Sequence, residues 1–289
     1  MPEAEAGTPS LPPLREVIKR HGLRARKSLG QCFLLDLNLT DRISRAAAPL
    51  EGRTVLEVGP GPGGLTRSLL AQGAQVVAIE KDKRCLAALA ELAEHYPGRL
   101  DVIESDALKV ETADLVPPGT TIVANLPYNI ATPLLFKWFD DLGRYSAITV
   151  TLQKEVAERL AAAPATKPYG RLAVMTQWRC EVKRLFDIEA QAFTPPPKVT
   201  STVVQLTPRP ELLAPAPTDT LERVVKAAFG QRRKMLRSSL KAVSDDPAGL
   251  LAAAGVEPTA RAEELDVGTF CALARRLYEM RDKGPLKTY

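Results

Sequence analysis

Histidine is nearly absent from this sequence. Its 289 residues include two, His21 and His95, alongside four scattered cysteines, Cys32, Cys85, Cys180 and Cys271. No Cys-x-x-Cys pair occurs, so metal centres and disulfide frameworks are excluded and the thiols read as reduced. No run approaches the ~20 apolar residues that a bilayer span requires. The first 13 residues, MPEAEAGTPSLPP, lack the basic start and apolar stretch of a secretory signal. They read as a disordered tail, and the protein is expected to be cytoplasmic.

What is present is an ordinary globular composition with an uneven charge. Apolar residues make up 45% and charged residues 25%, and the net charge is +5. Arg15 to Ser28 carries six basic residues and one acidic, and Leu221 to Lys241 carries seven and one. Two separated basic segments suit an extended polyanion. A pair of solvated helix faces would give the same counts.

From about residue 54 to 207, short β-rich runs alternate with helix-like stretches. Strands are expected at 54–59, 75–80, 100–106, 121–127, 146–153, 171–180 and 201–208. Helices are expected at 65–73 and 83–96, and another after Pro133. Such alternation implies a mostly parallel sheet covered by helices on both faces. PRPELLAPAPTD (208–219) reads as a linker, and helices are expected beyond it at 219–243, 247–254 and 268–282. The expected division is a tail (1–13), an α/β domain (14–207) and a linker with a helical domain (208–289).

The first strand runs into VGPGPGGLT (58–66), where Gly59, Gly61 and Gly63 punctuate a strand-to-helix turn. Glycines let backbone approach a ligand there, at a helix N-terminus. Many nucleotide folds share that feature. Glu80 narrows the reading, because it ends the second strand 21 residues after Gly59. A carboxylate at that point can accept both ribose hydroxyls. Asp106 ends the third strand, where it can accept an adenine amino group. The ligand is therefore expected to contain adenosine, either NAD or S-adenosylmethionine.

The fourth strand separates these two. It ends in Asn125-Leu126-Pro127-Tyr128, which resembles the [N/D/S]-P-P-[Y/F] pattern of amino methyltransferases. An adenine amine is a poor nucleophile because its lone pair is delocalised into the ring. The Asn125 side-chain oxygen and the Leu126 carbonyl can accept its two N–H groups and turn that lone pair toward a methyl donor. Tyr128 can stack on the extruded base.

Further segments extend the likeness over nearly the whole chain. KSLGQCFLLD (27–36), ANLPYNIATPLL (124–135), LQKEVAERL (152–160), FTPPPKVTSTVV (193–204) and FGQRRKMLRSSL (229–240) resemble the small-subunit ribosomal RNA adenine dimethyltransferases. The resemblance implies a class I, Rossmann-like methyltransferase sheet and a small helical domain. It implies dimethylation of two adjacent adenosines in the 3′-terminal hairpin of 16S ribosomal RNA, with S-adenosylmethionine as donor. The substrate would be a pre-30S particle and the protein a monomer. The resemblance sets the cofactor against Gln31, Cys32, Leu34, Gly59, Gly61, Glu80, Lys81, Asp106, Ala107 and Asn125. It sets the target base between Tyr128 and Phe193, beside Leu126 and Pro127. Arg24, Arg26 and Lys27, with Arg232, Arg233, Lys234 and Arg237, are the expected phosphate contacts, lining a basic cleft between the domains.

Two positions depart from the family pattern. Cys32 stands where an Asn is expected, and a thiol is a weak hydrogen-bonding group. Ser238 replaces the Asn of Arg-Asn-x-Leu. Two other functions share parts of this pattern: dimethylation of large-subunit ribosomal RNA, and RNA binding by a factor that has lost catalysis. The FTPPPKV and FGQRRK segments weigh against the first. The intact Glu80, Asp106 and Asn125–Tyr128 weigh against the second.

Overall fold

A computed structural model describes residues 11–282. These fall into two compact units. The first comprises the residues up to Lys154 and Arg184–Thr207, and the second Glu155–Lys183 and the residues from Pro208 onward. The single boundary expected after Thr207 is thus one of three crossings, because residues 155–183 cluster with the C-terminal helices.

The first unit opens with α1 (Leu14–Arg20), β1 (Phe33–Leu34) and α2 (Leu37–Ala46). It continues with β2 (Thr54–Val58), α3 (Gly64–Ala71), β3 (Gln75–Glu80), α4 (Lys83–His95) and β4 (Leu100–Glu104). Next come β5 (Thr120–Asn125), α5 (Tyr128–Asp140) and β6 (Tyr145–Gln153), and then α6 (Lys154–Leu160) and α7 (Arg171–Arg179) in the second unit. β7 (Cys180–Ile188), β8 (Phe193–Thr194) and β9 (Ser201–Pro208) complete the strands. The second unit ends with α8 (Thr218–Gly230), α9 (Leu236–Ser239), α10 (Pro247–Ala253) and α11 (Val267–Asp282).

Seven strands form one sheet in the order β4-β3-β2-β5-β6-β9-β7, as a class I methyltransferase sheet requires. β4 through β6 pair in parallel, and β9 pairs antiparallel to β6. The chain winds outward from β2 through β3 to β4, then restarts at β5 on the other side. Right-handed crossovers in opposite directions place helices on both faces. They also leave a crevice where the order reverses, beyond the carboxyl ends of β2 and β5.

Local chemistry explains the helices around that crevice. Asp82 caps α4 by accepting the Arg84 N–H, and Cys85, Ala88, Leu89 and Leu92 form its buried stripe at helical spacing. The Asp36 side chain caps α2 in the same way. Ile43, Leu69, Leu70, Val55, Val76 and Val123 join in one core beneath them.

Four expectations are corrected. Residues 171–180 are helix α7, and the strand expected there is 180–188 instead. α7 buries Ala173, Val174, Met175, Thr176, Trp178 and Arg179, so its short apolar run has no period to separate helix from strand. β7 is mostly solvated and charged, which hid it. The helix expected after Pro133 is α5, which begins at Tyr128 and has Pro133 inside it. The helix expected at 219–243 breaks after Gly230, and residues 231–234 form a turn. Of the tail, residues 1–10 lie outside the described residues. Leu11 packs on the core and the Pro12 carbonyl accepts from Arg67 at 2.6 Å, so this part is anchored.

In the second unit Tyr169 Oη donates to the Leu265 carbonyl at 2.9 Å, and Trp178 Nε1 to the Ala214 carbonyl at 2.8 Å. Tyr169 also meets the Phe229 ring edge-on at 5.9 Å.

Candidate active site

At the crevice lies an open cleft, lined by residues of the first unit. Its wall includes each residue expected to touch cofactor or base: Gln31, Cys32, Leu34, Gly59, Gly61, Glu80, Lys81, Asp106, Ala107, Asn125, Leu126, Pro127, Tyr128 and Phe193. Segments distant in sequence therefore meet at one place.

The glycine turn after β2 forms the floor. Gly59, Gly61 and Gly63 all take left-handed backbone conformations. A Cβ at position 61 would also sit 3.1 Å from the Phe33 ring, so both conformation and space demand glycine. The turn is locked by Glu80, whose Oε2 accepts the Gly61 N–H at 2.9 Å while Oε1 accepts the Asp82 N–H at 2.7 Å. Glu80 is buried, and burial raises its pKa above the ordinary carboxylate range. Each of its oxygens keeps a lone pair for a further donor, as a ribose diol needs.

Asp106 lies beyond β4. Its Oδ1 accepts the Leu108 N–H at 3.1 Å, and Lys81 Nζ meets Oδ2 at 2.9 Å. The bond from Lys81 holds its carboxyl below the usual range. Leu34 and Ala107 are buried and supply apolar wall.

Asn125 ends β5. Its Nδ2 donates to the Cys32 carbonyl at 3.2 Å. A backbone carbonyl only accepts, so the amide orientation is fixed and Oδ1 is left as an acceptor. Cys32 thus contributes its backbone, while burial pushes its half-buried thiol up in pKa. Tyr128 begins α5 and shares a hydrogen bond with Ser201 Oγ at 2.6 Å. Phe193 is buried in β8, paired with Leu34 of β1. At Gly30 a Cβ would fall 2.5 Å from Asn129 Oδ1, so the 27–31 loop seats closely on the start of α5.

Two further residues of the site have no role assigned from the sequence, although Glu57 lies in LEVGPGPGGLT (56–66), a segment that also resembles the family. Glu57 in β2 lines the cavity, is 1% exposed, and has no hydrogen-bond partner at Oε2. Burial pushes its pKa up to about 8; the Thr66 hydroxyl pulls the other way and the Glu80 charge adds to the rise. Its one signal is an acid on an otherwise apolar strand, directly before the glycine turn. Asp82 is the other. It accepts from Gln31 Nε2 and pairs with Arg84, whereas its sequence position marks only the start of a helix.

The basic residues do not behave alike. Arg24, Arg26 and Lys27 are exposed, as are Arg233, Lys234 and Arg237, and none of the six enters an ion pair among the described residues. Arg232 differs from them. Its guanidinium meets Glu263 at 2.6 Å and the Lys167 and Thr166 carbonyls at 2.8 and 3.2 Å, so it clamps a loop of its own unit. No group suited to a metal ion occurs among the described residues, and no helix there is long and apolar enough to cross a membrane.

Comparison with known proteins agrees with this geometry. The family described as ribosomal RNA adenine dimethylase matches residues 22–279. The chain belongs to that family. A relative of this adenine dimethylase in Rhodospirillum rubrum, named ribosomal RNA small subunit methyltransferase A, is 60% identical over 273 residues, 94% of each chain. A dimethyladenosine transferase from Plasmodium falciparum is similar in structure, with a TM-score of 0.74 at 26% identity, covering 86% of this chain and 98% of that one. The 23S ribosomal RNA methyltransferase ErmE has a TM-score of 0.64 at 28% identity, covering 85% of this adenine dimethylase and 99% of ErmE.

Proposed function

We propose that this protein dimethylates the exocyclic amino nitrogen of two adjacent adenosines in the 3′-terminal hairpin of 16S ribosomal RNA, using S-adenosylmethionine. One observation carries the reading. Asn125 Nδ2 is committed to the Cys32 carbonyl, so Oδ1 is oriented to accept an amine N–H.

The residues present fit the cofactor. Glu80 retains lone pairs for two ribose hydroxyls and Asp106 for an adenine amino group. Glu57 is a buried carboxyl with an orphaned oxygen at the same wall. When bound, S-adenosylmethionine supplies an electrophilic methyl on a sulfonium centre. The chain's part is to present the nucleophile. Asn125 Oδ1 and the Leu126 carbonyl take the two amine N–H groups, which favours a tetrahedral nitrogen with its lone pair free. Pro127 holds the turn with φ −57° and delivers Tyr128, whose ring supports the base. Phe193 closes the opposite side. A singly methylated amine still has one N–H for the same acceptors, so a second transfer needs no second site. The amine proton leaves to solvent after transfer, and no general base is required.

Arg24, Arg26 and Lys27, with Arg233, Lys234 and Arg237, are the proposed phosphate contacts. Arg232 supports them indirectly by shaping its turn. The small-subunit particle is preferred over 23S ribosomal RNA because relatives near 60% identity carry the small-subunit name. The protein is proposed to act as a monomer in the cytoplasm, on immature 30S particles. The test is methyl transfer from labelled cofactor to naked 16S RNA, immature 30S particles and 23S RNA, with the product mapped. Dimethyladenosine pairs in the 16S hairpin are expected. Label confined to 23S RNA would overturn the reading.

A further inference from the structure

An unbroken run of hydrogen bonds joins the basic segment Arg24–Lys27 to the carboxylate of Glu80. The Arg26 backbone N–H donates to Gln31 Oε1 at 2.9 Å, and Gln31 Nε2 donates to Asp82 Oδ2 at 3.0 Å. The Asp82 N–H donates in turn to Glu80 Oε1 at 2.7 Å. A second strap reaches the same segment, because Arg84 Nη2 donates both to Asp82 Oδ2 at 2.5 Å and to the Arg24 carbonyl at 3.2 Å. Asp82 is 3% exposed, and its bonds from Arg84 hold its carboxyl down at about 2, so the junction stays ionised under ordinary conditions.

We propose that Asp82 is a positioning residue that couples the cofactor cavity to the RNA-facing segment Arg24–Lys27, so that occupancy of one tightens binding at the other. The inference rests on the functional reading above. A ribose diol on Glu80 fixes the carboxylate that holds the Asp82 N–H. Asp82 then fixes Gln31 and Arg84, which fasten the backbone on either side of Ala25. The cations of the segment are presented from a backbone already ordered, and less ordering is left for RNA to impose. Linkage requires the effect to be reciprocal. A plain helix cap would need only the bond from the Arg84 N–H. Gln31 and the second strap add nothing to a cap.

The experiment uses the full chain, S-adenosylhomocysteine as a cavity ligand without a methyl to transfer, and an unmethylated 16S RNA transcript. In the parent, saturating S-adenosylhomocysteine should tighten RNA binding by about fivefold, the lower end of ordinary coupling. Asp82→Asn keeps a cap acceptor but sets an amide donor against either Gln31 Nε2 or Arg84. Its coupling should fall below about twofold. The double variant Gln31→Glu with Asp82→Asn exchanges donor and acceptor, and the carboxylate introduced by Gln31→Glu can still accept the Arg26 N–H. Coupling should return. Should Asp82→Asn fail to fold, Gln31→Leu leaves the α4 cap intact and must also lose the coupling. Parental coupling in Asp82→Asn or Gln31→Leu overturns the proposal. So does a parent that binds both ligands independently, or a double variant no better coupled than the single. A parent that binds neither ligand would overturn the functional reading itself, and this inference with it.

Discussion

Asn125 at the end of β5 is tied to the carbonyl oxygen of Cys32, 93 residues earlier, by a 3.2 Å hydrogen bond from its Nδ2. The bond holds the N-terminal loop against the catalytic strand and leaves Oδ1 as an acceptor.

Asn125→Ala should therefore lower single-turnover methylation by about a hundredfold or more, because a positioned acceptor and a loop anchor are removed together. Asn125→Asp should be similarly impaired, since a carboxylate facing the Cys32 carbonyl cannot donate to it. Tyr128→Ala should be severely impaired and Tyr128→Phe mildly, because stacking needs the ring and only the bond to Ser201 is forfeited. Mass spectrometry of digested RNA reads both products. Near-parental dimethylation by Asn125→Ala would falsify the amine-positioning mechanism.

Cys32 meets Asn125 through its backbone, so its thiol is dispensable. Cys32→Ala should bind S-adenosylmethionine within about threefold of the parent, a loss of less than about 0.7 kcal/mol. Calorimetry checks it, and a tenfold loss would assign the thiol a direct contact.

Glu57 predicts a pH dependence of stability. Its folded pKa of about 8 lies above the ordinary 4.5, so between those values the folded chain holds a proton that the unfolded chain releases. This contribution is complete below pH 4.5 and is lost as pH rises toward 8, at up to about 1.4 kcal/mol per pH unit. The parent Tm should fall more between pH 5 and 8 than that of Glu57→Gln. Some slope should survive in the variant, because Glu80 is raised as well. Parallel Tm profiles would show that the Glu57 proton plays no part.

Arg232 and Arg233 are adjacent but should fail differently. Arg232→Glu sets a carboxylate against Glu263 and two carbonyls, and should destabilise the protein by about 1–3 kcal/mol. Arg233→Glu should leave Tm unchanged, weaken RNA binding and reduce its salt slope by about 0.7–0.9 for each phosphate no longer neutralised. Thermal melting and binding across a salt series separate the two. An unchanged salt slope in Arg233→Glu would make that residue a solvated face.

The strands around the cavity were legible because buried parallel strands read as apolar runs ending in glycine, Glu80 or Asn125. Gly59, Gly61, Glu80, Asp106 and Asn125 followed, since ligand-binding turns concentrate at strand ends, whereas Gln31, Cys32, Leu34 and Phe193 came only through the family resemblance. α7 was not legible, because burial on nearly all sides erased its period. Glu57 and Asp82 were missed for a related reason. Glu57 stands out only by its burial beside the Glu80 charge, and Asp82 only by the bonds it accepts from Gln31 and Arg84, and no local pattern reports such surroundings. The bonds of Arg232 to Glu263 and two carbonyls were not legible, because charge counting cannot distinguish a free guanidinium from one that closes a loop.

The three chain crossings between units bear on how the polypeptide is made and cut. α7 packs with α8 and α11, and Tyr169 and Trp178 bond to Leu265 and Ala214. The helical unit is thus assembled from two stretches of chain separated by Arg184–Thr207. During synthesis its first stretch emerges long before its last helix, and must wait for the C-terminus before its tyrosine and tryptophan find their acceptors. A fragment beginning at residue 208 lacks α7 and cannot serve as a portable module. Any graft of the helical unit onto another scaffold has to carry both stretches.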